Sequence, residues 1–159
     1  MKVILVGYGK MGRLLEARIA EKGSQVLAVV DPYCAETAAG GAAYASLEEA
    51  RNGAAGKSLK DADAVIEFSR PDSAPGNLLF LAKEKVPTVT GTTGWYGRLP
   101  EIIRAVNDEG SSLIWSSNFS QGVNLFFRVA AFAAKLVDPF PEYDVAGAET
   151  HHNKKADSP

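Results

Sequence analysis

Val3-Ile4-Leu5-Val6-Gly7-Tyr8-Gly9-Lys10-Met11-Gly12 passes from four apolar residues into a G-x-G-x-x-G turn. The next residues are amphipathic, which predicts a helix: Met11, Leu14, Leu15 and Ile19 form an apolar stripe, with Arg13, Glu16, Arg18 and Lys22 left to solvent. A second apolar run, Gln25-Val26-Leu27-Ala28-Val29-Val30, then ends on Asp31. Strand, glycine turn, helix, strand and acid, in that order, make the pattern of a dinucleotide-binding β-α-β unit. Gly7 permits the tight turn off the strand, Gly9 lets backbone approach a pyrophosphate, and Gly12 clears the packing of helix on strand. The helix start offers unpaired N–H groups and a partial positive charge to the phosphates. Asp31 lies nineteen residues past Gly12, near the spacing of about 20 at which a carboxylate accepts hydrogen bonds from the adenosine ribose. Gly7, Tyr8, Gly9, Lys10, Met11, Gly12 and Asp31 are therefore the first cofactor-binding candidates.

The 159 residues suffice for one good core, or one domain and part of a second. Hydrophobic residues make up 46% and charged residues 23%, the balance of a soluble globular chain. A net charge of −2, with no basic run longer than two residues, argues against a nucleic-acid surface. The apolar stretches are too short to span a membrane, and Met1-Lys2-Val3 leads straight into a strand without signal-peptide architecture. Cys34 is the only cysteine, which excludes an internal disulfide. These features point to a cytoplasmic enzyme or binding domain.

Strands and helices alternate along the rest of the first 121 residues. Ala62–Phe68 reads as a buried strand, Ser73–Glu84 as a helix, Val86–Thr90 as a strand and Ser112–Ser116 as another. Leu99–Glu109 reads as a helix, with Pro100 in its first turn and Gly110 as its stop. Between Ala35 and Lys60 the pattern is weaker, with a helix over Ser46–Arg51 and a loop through Gly53–Lys57. Such alternation predicts an α/β fold, a doubly wound parallel (Rossmann) sheet with helices on both faces. Gly122–Val137 is then a long apolar helix, ended by Asp138-Pro139-Phe140-Pro141, and Glu142–Thr150 reads as an extended strand. We expect a dinucleotide-binding domain over 1–121 and the beginning of a second α+β domain over 122–159.

In a doubly wound sheet, ligands sit outside the carboxyl ends of the strands. Phe68-Ser69-Arg70-Pro71, Gly91-Thr92-Thr93-Gly94 and Ser116-Ser117-Asn118-Phe119 occupy those places. Their small polar residues allow backbone to reach a carboxamide or a ribose. The other chemical cluster is Glu149-Thr150-His151-His152-Asn153-Lys154-Lys155-Ala156-Asp157-Ser158-Pro159, which holds both histidines. Zinc would need further ligands, so no metal is expected. Neighbours on an extended segment face opposite ways, which gives the two imidazoles different roles. Lys155, four positions after His151, would converge with it on an anionic substrate if the loop curls; a solvated basic loop is the alternative. Histidine would serve as acid or orienting donor near neutral pH.

These stretches together resemble the dihydrodipicolinate reductase (4-hydroxy-tetrahydrodipicolinate reductase) family of lysine biosynthesis, along the whole chain. The resemblance rests on Val6–Gly12, Ile66–Pro71, Gly91–Gly94, Asn118–Asn124 and, most specifically, Glu149–Pro159, which follows an acid-x-His-His-x-x-Lys-x-Asp-x-Pro signature. It implies that His151 and Lys155 are catalytic and that His152 binds substrate. It implies that Gly91, Thr92 and Thr93, with Ser116, Ser117, Asn118 and Phe119, hold the nicotinamide end of the cofactor, and that Phe68 and Ser69 line its site. The implied reaction is hydride transfer from NAD(P)H to a cyclic imine dicarboxylate in the diaminopimelate pathway. The glycine turn is one residue shorter than the family's usual G-x-x-G-x-x-G. Pro32 follows Asp31 where many members place a basic residue for a 2′-phosphate, which predicts NADH over NADPH. The family continues past Pro159 into a sheet that completes the substrate pocket and builds a homotetramer. A chain stopping at Pro159 is expected to lose that assembly and to bind NADH while turning over poorly. A related amino-acid dehydrogenase, and a nucleotide-binding domain without catalysis, stand as alternatives.

Overall fold

The computed structural model describes residues 1–34, 41–54, 56–148 and 150. Six parallel strands form its sheet: β1 (Lys2–Val6), β2 (Gln25–Val30), β3 (Ala42–Tyr44), β4 (Ala64–Glu67), β5 (Thr88–Thr90) and β6 (Leu113–Trp115). Their spatial order is β3-β2-β1-β4-β5-β6, the 3-2-1-4-5-6 order of a doubly wound sheet. The chain proceeds outward from β1 in one direction, then returns to its other side with β4. The crevice between β1 and β4 is therefore the switch point at which such sheets bind ligands.

Alternation along β1 builds a core on each face. Val3 and Leu5 pack with Val26, Val29 and Tyr8, beneath the Leu15 and Ile19 side of α1 (Lys10–Glu21). Ile4 and Val6 turn the other way, to join Leu27, Val30, Val65, Leu47 and Leu81. The β1–β2 register shifts so that Val3 faces Val26 while Ile4 faces Ala28, leaving Leu27 as an extra residue. That bulge is why Leu27 and Ala28, though consecutive, lie in the same cluster.

Leu47 and Leu81 come from α2 (Leu47–Arg51) and α3 (Ala74–Lys83). Ser46 caps α2 by accepting a hydrogen bond from the Glu49 amide at 3.2 Å. A single 3-10 turn, Leu59–Asp61, leads into β4. A third cluster joins Ala74 and Leu78 of α3 to Trp95 and to Ile102 of α4 (Leu99–Glu109). Pro100 sits in the first turn of α4, and Gly110 closes the helix in the left-handed region at φ 64°.

Several readings of the sequence need correction. Glu16 is not in solvent: it is 3% exposed and accepts a hydrogen bond from the Tyr8 hydroxyl. Met11 and Leu14 are the exposed ones, at 42% and 51%, because the face of α1 turned to the sheet is set by Gly12, Leu15, Glu16 and Ile19. The short β3 was unread, since Ala42-Ala43-Tyr44 carries no alternation; pairing with β2 makes it a strand. Tyr143–Ala148 carries no strand, because an extended run becomes one only by pairing, and no described residue pairs with it.

The chain divides into two units, Met1–Ser117 and one that begins at Asn118. The second holds α5 (Gln121–Val137), capped by the Ser120 hydroxyl. Its Leu125, Phe126, Phe127, Val129, Phe132 and Leu136 are all more than half exposed.

Candidate functional site

The site is built on the turn that leaves β1. Gly7 has φ 89°, a conformation that a side chain would strain, and a Cβ on it would fall on the Phe68 carbonyl. Its N–H donates to the Val30 carbonyl at 2.9 Å, which ties the turn to the end of β2. Gly12 is packed just as closely, because a Cβ there would fall on the Gly7 carbonyl oxygen. At Gly9 a Cβ would meet nothing within 4 Å. Gly9 is also the N-cap of α1, where no side-chain cap hydrogen bond is made among the described residues. Lys10 and Met11, in the first turn, are exposed. An open backbone surface thus adjoins the first amides of a helix, at the positive end of its dipole, an arrangement suited to a phosphate.

Tyr8 faces inward. Its side chain is 3% exposed, its hydroxyl donates to Glu16 and the Arg13 guanidinium lies 4.7 Å from its ring centroid. Its backbone N–H donates to Oδ2 of Asp31 at 2.7 Å. Oδ1 of Asp31 accepts from the Tyr33 amide at 2.8 Å. The half-buried Asp31 carboxylate is thus held between the glycine turn and the turn after β2, with lone pairs left for a diol.

A cavity of about 540 Å³ opens at this place. Gly7, Gly9 and Asp31 line it, with Ser46 and Leu47 at the start of α2, Phe68, Ser69 and Arg70 in the loop after β4, and Asn77 of α3. The volume falls within the usual range for ligand pockets. Arg70 stands in the Phe68–Pro71 loop already placed at a strand end, whereas Asn77 and the residues at the start of α2 were missed in the sequence. The signals of these last, an asparagine within a helix and the start of a short helix, are too common to single out.

The loop after β5 lies alongside. The Gly91 amide donates to the Glu67 carbonyl at 3.1 Å, and the Phe68 ring occupies the space that a Cβ on Gly91 would need. Thr92 is buried, and its carbonyl accepts from Trp95 Nε1 at 2.7 Å. Its hydroxyl has no hydrogen-bond partner among the described residues. Thr93 is exposed. After β6, the Ser116 amide donates to the Thr90 carbonyl at 3.3 Å, and Ser117 is exposed. In the second unit, Asn118 Oδ1 accepts from the Ser120 amide at 2.8 Å, and Phe119 is 48% exposed. His151, His152 and Lys155 lie outside the described residues. Among the described residues no cluster of histidine, cysteine or carboxylates could hold a metal, and no helix is long and apolar enough to cross a membrane.

The residues present fit a dinucleotide. Gly9 leaves room that a pyrophosphate would need, Asp31 lines the same cavity with lone pairs a ribose could use, and the buried Thr92 hydroxyl has no partner among the described residues.

Comparison with known proteins agrees with this geometry. Among solved structures, the WlbA dehydrogenase of Chromobacterium violaceum, determined with NADH and UDP-GlcNAcA, superposes with a TM-score of 0.68 at 17% identity. That match covers 85% of this chain and 40% of the other. A myo-inositol dehydrogenase of Corynebacterium glutamicum gives 0.63 at 18% identity, over 87% of this chain and 41% of its own. At such identities the likeness concerns the fold. Among curated proteins, the 4-hydroxy-tetrahydrodipicolinate reductases of Staphylococcus aureus and Christiangramia forsetii are 33% and 30% identical over all of this chain. The chain spans 60% and 59% of their respective lengths. Residues 1–119 match the family model described as dihydrodipicolinate reductase, N-terminus. A parallel sheet with a glycine turn at its switch point, an acid closing β2 and this match over three quarters of the chain agree: the chain belongs to the dihydrodipicolinate reductase family.

Proposed function

We propose that this chain binds NADH and serves the reduction of a dihydrodipicolinate-type cyclic imine to its tetrahydro product, in the diaminopimelate route to lysine. The observation that carries the cofactor half is the opening beside Gly9, flanked by the α1 amides and by Asp31, which lines the same cavity. Gly7, Gly9, Lys10, Met11 and Gly12 would cradle the pyrophosphate and Asp31 the adenosine ribose. Tyr8 contributes indirectly, by holding Asp31 through its amide. Phe68 and Ser69 line the cavity, while Gly91, Thr92, Thr93, Ser116, Ser117, Asn118 and Phe119 are assigned to the nicotinamide end. The nicotinamide would supply the hydride. His151 and Lys155 are the proposed catalytic pair and His152 a substrate ligand. Their positive charge would offset the substrate carboxylates and favour electron density at the ring nitrogen. The remaining domain assignments, 1–121 for the cofactor and 122–159 for the start of the substrate and oligomerisation domain, belong to the same reading.

NADH is preferred over NADPH because Asp31 is anchored. Both carboxylate oxygens accept backbone amides, and Pro32 offers no charge, so a 2′-phosphate meets a negative group that is restrained from swinging aside. Fluorescence titration with NADH and NADPH tests this, with tighter NADH expected. NADPH binding more tightly would refute it. NADH oxidation with the enzymatically generated imine tests the reaction, with His151→Ala and Lys155→Ala each expected to lower kcat about 100-fold or more. The assay is run on this chain and on one extended past Pro159; NADH binding without oxidation by either would leave a nucleotide-binding domain and remove the reductase reading.

A further inference from the structure

Glu67 ends β4 in a run that is otherwise apolar, Ala64-Val65-Ile66-Glu67-Phe68, and its side chain is fully buried. A carboxylate moved from water into a protein interior must have its lost hydration replaced. Among the described residues no ion pair does this; neutral donors do. The Ser69 amide donates to Oε1 at 3.0 Å, and the Ser69 hydroxyl donates to the same oxygen. The Thr90 hydroxyl donates to Oε2 at 2.5 Å. Each hydroxyl in turn accepts from further out: Ser69 Oγ from Asn77 Nδ2 at 3.2 Å, and Thr90 Oγ1 from the Thr92 amide at 3.3 Å. An N–H donor cannot accept, so each hydroxyl keeps its own proton for Glu67.

Two loops therefore hang on one carboxylate. The Oε1 side fixes Ser69 and, through Asn77, the start of α3, both of which line the cavity. The Oε2 side fixes Thr90 and the Thr92 amide in the loop after β5. That loop carries the buried Thr92 hydroxyl that has no partner among the described residues.

We propose that Glu67 is a positioning residue: it locks the loops after β4 and β5 to each other, and so holds the Thr92 hydroxyl ready for a hydrogen-bonding group of the ligand's nicotinamide half. The proposal rests on the dinucleotide reading above. Glu67 touches no ligand; it acts through Ser69 and Thr90.

The test uses Glu67→Gln, Thr90→Val and Ser69→Ala in the 159-residue chain. Each is titrated with NADH and with ADP-ribose, which lacks the nicotinamide. Thr90→Val cuts only the Oε2 arm and is expected to weaken NADH about five-fold, with ADP-ribose changing less than about two-fold. Ser69→Ala cuts the other arm and weakens both ligands about five-fold. Adding Thr90→Val to Glu67→Gln costs no further affinity, because that arm is already broken. In parallel, native-state amide exchange at Ser69 and Thr92 is expected to speed up about ten-fold or more in Glu67→Gln, with or without nucleotide. If the unmodified protein does not bind NADH yet exchange responds as stated, the dinucleotide reading fails and the locking of the two loops stands. If Glu67→Gln folds with both amides as protected as before, the proposal is overturned. It is equally overturned if Thr90→Val weakens ADP-ribose as much as NADH. Should Glu67→Gln not fold, the contrast between Thr90→Val and Ser69→Ala decides.

Discussion

Replacing Gly12 and Gly9 by alanine separates what the glycine turn does for stability from what it does for binding. Gly12 lies in the first turn of α1, where alanine is favoured over glycine by about 1 kcal/mol in helix propensity. Against this, its Cβ would fall on the Gly7 carbonyl oxygen and come within 3.3 Å of Tyr8 Cδ2. Gly7 cannot yield easily, because its amide is bonded to Val30 and its φ is 89°. Tyr8 cannot either, being packed among Val3, Leu5, Val26 and Val29. Overpacking of this kind costs about 1–3 kcal/mol, so the clash outweighs the propensity. The net loss, up to about 2 kcal/mol, lowers Tm by up to roughly 5 °C. Gly9 is different: its φ of −74° suits any residue and a Cβ meets nothing within 4 Å. Gly9→Ala is expected to keep stability within about 0.5 kcal/mol. It nevertheless places a methyl where backbone would meet pyrophosphate, weakening NADH about ten-fold. Thermal unfolding by circular dichroism and NADH titration by fluorescence measure both. A higher Tm for Gly12→Ala would refute the steric argument. Unchanged NADH affinity for Gly9→Ala would show that no phosphate crosses Gly9.

Three further perturbations test the packing. Tyr8→Phe removes the hydroxyl that donates to buried Glu16, with an expected loss of about 1–3 kcal/mol in urea unfolding; a change below about 0.5 kcal/mol would mean the contact is unimportant. Ile102→Ala empties a fully buried position between α3 and α4, with an expected cost of about 2–5 kcal/mol; a near-neutral result would contradict the tight packing against Trp95. Asp61 is held below the ordinary aspartate range by the Ser58 hydroxyl first and the Ser58 amide second. An acid depressed in this way contributes stability that is present above its unfolded-chain value, near about 4, and lost as pH falls through the lower folded value. The unmodified protein should therefore lose more stability than Asp61→Asn between about pH 4 and about pH 2, and parallel urea midpoints across that window would refute the assignment.

How much of this was legible in the sequence depended on whether the deciding contacts are local. β1, the glycine turn, α1, β2 and Asp31 were readable because each glycine and each apolar repeat constrains its own stretch of backbone. Leu99–Glu109 was readable to the residue, since Pro100 and Gly110 punctuate it. Glu16 was misread because its burial depends on Tyr8 turning a hydroxyl back onto the helix, which periodicity does not encode. Tyr143–Ala148 was read as extended on pattern alone, but a strand requires a partner, and pairing is a relation between segments. Glu67 shows the boundary between the two cases. Its signal, a carboxylate closing an apolar run, stood in the sequence and names a residue that needs donors. Which donors could not be read there, because Ser69 is a neighbour but Thr90 lies 23 residues away, on a strand brought alongside only by the β4–β5 pairing. A charged residue within a buried strand therefore locates a junction before the structure is known. The sheet order then says which loops it joins, and here those are the two loops that flank the switch point on the β4 side.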